Sequence, residues 1–166
     1  MEKILIIGCP GSGKSTFARA LHEKTGLPLY HLDMLFWNAD KTAVEKSVFK
    51  ARLCDVIKED AWIIDGNYSR TIEMRLSRCD TVIYLDFSRF ACIRGVVKRV
   101  LTTYGTVRPD MGEGCPERFD LDFLKWVWNF NKNKREKNYQ LLNETPGIEK
   151  IVLKNRRMVK RFLRSL

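Results

Sequence analysis

The sequence predicts an α/β domain built on a parallel sheet, and three observations carry that prediction. Helix-length patterns alternate with short β-rich runs along the chain, the arrangement that puts helices over both faces of a parallel sheet. The runs Ile4–Ile7, Trp62–Ile64 and Thr81–Leu85 show no polar alternation, as expected of strands buried on both faces. The first run leads straight into Gly8-Cys9-Pro10-Gly11-Ser12-Gly13-Lys14-Ser15-Thr16, which matches G-x-x-x-x-G-K-[ST] in full and opens a helix-like stretch.

Taken in order, Ile4–Ile7 is the first strand and a helix starts near Lys14. A strand follows at Leu29–His31, then a helix around Val44–Ile57, strands at Trp62–Ile64 and Thr81–Leu85, and a helix around Phe90–Tyr104. Another helix spans about Leu121–Leu142, and the chain closes with a strand at Ile151–Leu153 and a terminal helix. Phe123, Trp126, Val127 and Phe130 fall at i, i+3, i+4 and i+7, which reads first as a core stripe. One segment breaks the rhythm. Residues 104–119 hold Gly105, Gly112 and Gly114 with Pro109 and Pro116, and such a stretch between two helices reads as a lid carrying Arg108 and Arg118.

At 166 residues the chain is read as one domain spanning 1–166. No run approaches the roughly 20 apolar residues of a membrane span, so no membrane partner is expected. Met1-Glu2-Lys3 precedes only a short apolar run, which does not read as a secretory leader, and the cytoplasm is the expected location. The five cysteines, Cys9, Cys54, Cys79, Cys92 and Cys115, lack the close spacing of a zinc or redox motif and read as free thiols. His22 and His31 are isolated and make no metal site. The net charge is +10, and Lys150–Leu166 carries seven Lys/Arg and no acid. That surface is open to two readings, a solvated terminal helix or a patch for nucleic acid.

The glycine-rich match is a P-loop. Its glycines let the backbone wrap a phosphate while free N–H groups at the helix N-terminus attract the negative charge. Gly8, Pro10, Gly11, Ser12, Gly13, Lys14, Ser15 and Thr16 are therefore the candidate binders of ATP. Lys14 would reach the β- and γ-phosphates, and Ser15 would ligate Mg²⁺. The competing reading is a glycine-rich turn that binds nothing. His31-Leu32-Asp33-Met34-Leu35 and Trp62-Ile63-Ile64-Asp65-Gly66-Asn67-Tyr68-Ser69-Arg70-Thr71 each put a carboxylate at or just beyond the C-terminal end of a strand, where open α/β sheets bind ligands.

With the P-loop, these two motifs resemble the nucleoside monophosphate kinase superfamily, whose adenylate kinases carry Thr-Gly-Asp-Met-Leu and Asp-Gly-Phe-Pro-Arg-Thr in these places. Leu32-Asp33 with Trp37, Asp65-Gly66-Asn67-Tyr68, Arg108-Pro109-Asp110-Met111 and Gly114-Cys115-Pro116-Glu117 together are similar to the bacterial DNA topology modulation proteins, an adenylate-kinase-related group. The resemblance implies a P-loop NTPase fold with a five-stranded parallel sheet of order 2-3-1-4-5 flanked by helices. It also implies an acceptor insert at about 32–60 and the lid at about 104–119. The loop Leu153-Lys154-Asn155-Arg156 would run past the adenine, with Lys154 and Asn155 contacting it mostly through backbone; a plain strand-to-helix turn is the alternative.

The implied activity is ATP-dependent phosphoryl transfer to a small nucleoside-like, nucleotide-like or other hydroxyl acceptor, with a nucleic-acid-associated ATP-binding regulator of DNA topology as the alternative. Asp65 would hold Mg²⁺ directly or through water, or serve as a strand-end turn residue. Asp33 would orient or deprotonate the acceptor hydroxyl, hold a Mg²⁺ water, or cap a helix. Arg70, Arg108 and Arg135 match arginines that the family closes on phosphate, each with a surface charge as its competing reading; Arg118 lies in the lid with Arg108, and Arg99 precedes it, with the same competing reading. Adenylate kinases carry an arginine directly after Asp-Met-Leu, whereas Phe36 and Trp37 follow here, which argues against AMP as acceptor.

Overall fold

Strand β1 (Lys3–Gly8) sits at the centre of the sheet because its side chains are apolar on both faces. Ile4 and Ile6 join Phe17, Ala18 and Leu21 of α1 (Lys14–Thr25), while Leu5 and Ile7 join Phe49, Leu53, Val56 and Ile57 of α3 (Lys46–Lys58). In this computed structural model, residues 1–38, 40, 42–106, 110 and 118–166 are described. The remaining strands are β2 (Leu29–His31), β3 (Trp62–Asp65), β4 (Thr81–Leu85) and β5 (Glu149–Leu153). They form a five-stranded sheet in the order β2-β3-β1-β4-β5, which the family resemblance implies, with every neighbour pair parallel as the strand–helix alternation predicts.

The helices complete two layers. Helix α5 (Arg89–Thr103) and α6 (Leu121–Glu144) join α1 and the terminal α7 (Arg156–Arg164) around one core, to which α5 gives Val96 and Val100 and α6 gives Val127 and Phe130. The short α2 (Leu32–Phe36) and α4 (Ile72–Leu76) lie with α3 over the opposite face. Local chemistry sets the ends. Gly26 closes α1 at φ 71°, its N–H reaching the His22 carbonyl at 2.8 Å, while Ser88 and Asp120 cap α5 and α6 through their side-chain oxygens.

Three differences from the sequence reading have plain causes. The third helix begins at Lys46, because Val44 is buried ahead of it, and its backbone N–H bonds the Phe36 carbonyl instead of starting a helical turn. Helices α2 and α4 have five residues each, too short for a 3.6-residue period to show. In the α6 stripe Val127 and Phe130 are buried, but Trp126 is 44% exposed, so the stripe is narrower than its spacing suggests.

One backbone contact seats the phosphate loop on the fold. A Cβ on Gly95, inside α5, would collide with the Gly11 carbonyl oxygen, and one on Gly11 would collide with that of Cys92. We predict that Gly95→Ala destabilises the protein by about 1–3 kcal/mol, as overpacking does. The urea midpoint should fall at constant m-value, and amide exchange at residues 11–13 should speed up as α5 is pushed off the loop. An unchanged midpoint would show that the two backbones have room to separate.

Candidate functional site

At the C-terminal edge of the sheet, β1 ends on Gly8, whose φ of 149° and whose approach to the Leu85 carbonyl, 2.6 Å from an added Cβ, leave space for glycine alone. The chain then turns through 9–13, with the Ser12 N–H bonding the Cys9 carbonyl at 3.2 Å. Gly13 adopts φ 93° at the N-cap of α1. Lys14, Ser15 and Thr16 form the first turn of that helix, and the Lys14 Nζ donates to the Cys9 carbonyl at 3.2 Å. The result is a loop of main-chain amides folded around a lysine at a helix N-terminus, the geometry suited to a phosphate. Ser12 Oγ is buried without a hydrogen-bond partner among the described residues.

Cys9 lies inside this loop yet is only 1% exposed, and its thiol reaches the Val127 carbonyl at 3.8 Å. Its contact with the Cys92 thiol and its burial push its pKa well up, so it remains a protonated thiol. Cys9, Cys54, Cys79 and Cys92 are all free; Cys115 lies outside the described residues.

The turn after β3 connects this loop to the far side of the site. Asp65 is buried, with Oδ2 3.0 Å from the His31 Nδ1 and Oδ1 without a partner among the described residues. The Asn67 side chain bonds the main chain of Gly8 twice, accepting from its N–H at 3.0 Å and donating to its carbonyl at 2.9 Å. Tyr68 takes a left-handed φ of 31° and donates its hydroxyl to Asp33 Oδ1 at 2.7 Å. Burial and the Asp33 charge push the Tyr68 phenol far up, keeping it a donor. Beneath this turn lies Arg75 of α4, whose guanidinium burial pulls down to about 9, still a cation at neutral pH.

Asp33 sits in the first turn of α2 and not at its cap, a position occupied by His31, so the capping role weighed from sequence does not apply. Phe36 is enclosed by Trp37, Phe49 and Tyr68, with ring centroids at 5.0, 5.4 and 5.0 Å, so it forms the wall of the insert instead of a free stacking face. Arg70, in a 3₁₀ turn at Ser69–Thr71, is exposed and makes no ion pair with any described residue.

On the other side of β1, Asp86 follows β4 and is buried. Its Oδ2 accepts from Arg135 Nη2 at 2.7 Å, Arg135 Nε at 3.2 Å and the Tyr139 hydroxyl at 2.8 Å, while Oδ1 has no partner among the described residues. The hydrogen bonds and charge of Asp86 raise the Arg135 guanidinium further above its already high value. Asn131, one turn earlier on α6, donates to the Phe87 carbonyl at 2.9 Å. Arg99 stacks over Phe123 at 5.7 Å, and Arg118 is exposed. Past β5, Lys154 is exposed, and the Asn155 Oδ1 accepts from the Met158 N–H at 3.0 Å as the cap of α7, leaving its side-chain NH₂ and its main chain for a ligand.

Within the segment read as a lid, Asp110 is buried and lies 3.5 Å from Arg19 of α1. Arg108 lies outside the described residues. Sequence reasoning names Gly8, Pro10–Thr16, Asp33, Asp65 and Arg135 as candidates, quotes Asn67 within a motif without giving it a role, and passes over Asp86 and Arg75. Asp86 carried the same signal as Asp65, a carboxylate just past a buried strand; Asn67 and Arg75 act on main chain, which no side-chain pattern announces.

The residues present fit a nucleotide-borne Mg²⁺. Asp65 keeps one buried oxygen without a partner, and Ser15 stands in the first turn after the loop. Among the described residues no three His, Cys, Asp or Glu cluster as a dedicated metal cage. A Mg²⁺ held chiefly by phosphate oxygens and water needs none. No described helix is long and apolar enough to cross a membrane.

No protein-family model matches the chain, and no curated protein matches its sequence. Solved structures do match. A shikimate kinase from Bacteroides thetaiotaomicron superposes with a TM-score of 0.58 at 15% identity, covering 98% of this chain and 94% of that one. A deoxyadenosine kinase from M. mycoides with bound dATP gives 0.56 at 18% identity, over 99% and 98% of the two chains. The same kinase with dCMP and a flexible dCDP gives 0.54 at 18%, over 98% and 97%. This chain has the fold of P-loop kinases.

Because Asp86 ties α6 to the sheet through three hydrogen bonds, Asp86→Ala is predicted to lower stability by about 1–3 kcal/mol, with Asp86→Asn losing less because an amide oxygen still accepts from Tyr139. Arg135 is 51% exposed and hydrates when released, which keeps the loss below that of a stranded buried charge. Urea titration of the two variants checks the order.

Proposed function

We propose that this protein is an ATP-dependent kinase that transfers the γ-phosphoryl group to a hydroxyl on a small acceptor, nucleoside-like or nucleotide-like in character. One observation carries the reading: the phosphate loop and the carboxylate of Asp33 are bridged by a single turn, through Asn67 at one end and Tyr68 at the other. Phosphoryl transfer demands in-line positioning and neutralisation of charge more than covalent help from the protein. Lys14 and the loop amides hold the donor phosphates. A Mg²⁺ brought in with ATP would offset the phosphate charge when bound. Ser15 and Asp65 are the residues that would hold that ion. Asp33 orients the acceptor hydroxyl and takes its proton, while the Tyr68 hydroxyl fixes the carboxylate's orientation. Arg70, exposed and unpaired among the described residues, meets an anionic part of the acceptor, and Arg135 faces the transferred group from α6. The packed aromatic wall of Phe36, Trp37 and Tyr68 offers no charge to a second phosphate at that position.

A second reading, an ATP-binding protein associated with nucleic acid, is favoured by α7. Arg156, Arg157, Lys160, Arg161 and Arg164 line one surface of that helix, and none pairs with a described carboxylate. Five phosphate contacts on a single strand give a salt slope of about −3.5, a loss of roughly 10² in affinity between about 50 and 200 mM salt. An oligonucleotide titration showing that slope supports this reading; no binding at low salt removes it.

For the kinase, an acceptor screen read by ADP release names the substrate. Lys14→Ala is expected to weaken ATP binding by about tenfold or more in calorimetry, the scale of a charged hydrogen bond. Asp33→Asn should bind ATP as the wild type does and lower kcat by about 10²–10⁴, the range for a general base. If Asp33→Asn transfers at the native rate, the acceptor is activated elsewhere. Failure of the wild type to bind ATP at millimolar concentration would end the kinase reading.

A further inference from the structure

Arg75 is 0% exposed, and its guanidinium makes no ion pair with any described residue. Its donors go to main chain: Nη1 to the Gly66 carbonyl at 2.8 Å, Nη2 to those of Asn67 at 2.6 Å and Tyr68 at 3.0 Å, and Nε to that of Thr71 at 3.3 Å. A buried cation is a costly way to fill a core, and an apolar side chain of similar volume serves packing alone at least as well. What an apolar side chain does not do is collect carbonyls from three successive residues onto one planar fork.

That collection has a visible result. With their carbonyls drawn inward, Asn67 and Tyr68 send their side chains away in two directions, Asn67 to both main-chain groups of Gly8 and Tyr68 to Asp33. Tyr68 is the one non-glycine residue at positive φ among the described residues, a conformation that costs energy and persists only where its surroundings enforce it.

We propose that Arg75 is a positioning residue for both ends of the site: by gripping the 66–68 main chain it fixes the turn that clamps the phosphate loop through Asn67 and orients Asp33 through Tyr68. The proposal rests on the kinase reading for what the two ends bind. It touches neither substrate, so Arg75 acts entirely through its neighbours.

The test uses the full chain with Mg²⁺·ATP as probe, titrated calorimetrically well below the melting temperature of each variant. Arg75→Lys keeps the charge but loses the fork, and Arg75→Met keeps the volume and loses both. We expect each folded variant to bind ATP about tenfold more weakly, Asn67→Ala to lose a similar factor, and Arg75→Met/Asn67→Ala to be no weaker than Arg75→Met alone, since both act through one clamp. At saturating ATP, transfer to the acceptor found by the ADP-release screen should have a lowered kcat in Arg75→Lys, because the Asp33 end has also lost its anchor.

Native ATP affinity in a folded Arg75→Met or Arg75→Lys chain would overturn the proposal, whatever the loss of melting temperature, and so would additive losses in the double variant. If both Arg75 variants fail to fold, Asn67→Ala decides: native ATP affinity there removes the clamp on which the proposal depends. A wild type that binds ATP but turns over no acceptor counts against the kinase reading, while the ATP titrations still judge Arg75.

Discussion

The paired hydrogen bonds between the Asn67 carboxamide and the main chain of Gly8 are the constraint on which the rest of the site depends. A phosphate loop works through amide dipoles that are already aimed before the ligand arrives, so its base has to be rigid. Gly8 meets that demand by standing at the end of the central strand, with the Leu85 carbonyl crowding it from one neighbour strand and the Asn67 side chain holding it from the other. The Gly11 contact with α5 then fixes the loop's outer limb. Few of these contacts involve a charged group, which leaves the amides and Lys14 as the features a phosphate meets.

Charge is instead buried deeper, around the base of the loop. Asp65 and Asp86 flank β1 from β3 and from the end of β4, and each keeps one oxygen unpartnered among the described residues while the other is engaged. Two inward carboxylates and a buried arginine destabilise a small domain unless each is compensated, and the compensation here is specific: an imidazole for Asp65, Arg135 with Tyr139 for Asp86, four carbonyls for Arg75. The same contacts bring β2, α4 and α6 to the edge of the sheet where the loop lies. Polar burial therefore does for the site what apolar burial does for the sheet, fixing which elements meet.

The sheet was legible in the sequence because its signals are strong and local. Leu29–His31 and Thr81–Leu85 coincide with β2 and β4, and β1 and β3 differ from their predicted runs only at the ends. The P-loop was legible for the same reason, since glycines at fixed offsets between a strand and a helix have few other uses. The failures come from interactions that cross the chain. Asn67 reaches Gly8 over a long separation in sequence, and nothing in Gly66-Asn67-Tyr68 marks that asparagine as a clamp rather than a turn residue. Arg75 carries no sequence signal, because a guanidinium whose partners are main-chain carbonyls leaves no side-chain pattern. Gly95 has its reason in the Gly11 backbone lying against α5, a contact that no local pattern announces.

Cys9 turns the loop into its own reporter. Its thiol is sealed between α5 and α6, and its pKa is held up by Cys92 and by burial, so an alkylating reagent finds neither the sulfur nor the thiolate while the loop is seated. Modification then proceeds only through moments when the loop lifts from the helices, and its rate becomes a clock for that opening. A ligand that grips the loop slows the clock by the fraction of time the site is filled, so occupancy can be followed with a small thiol reagent and a mass spectrometer, with no label introduced and no substrate turned over.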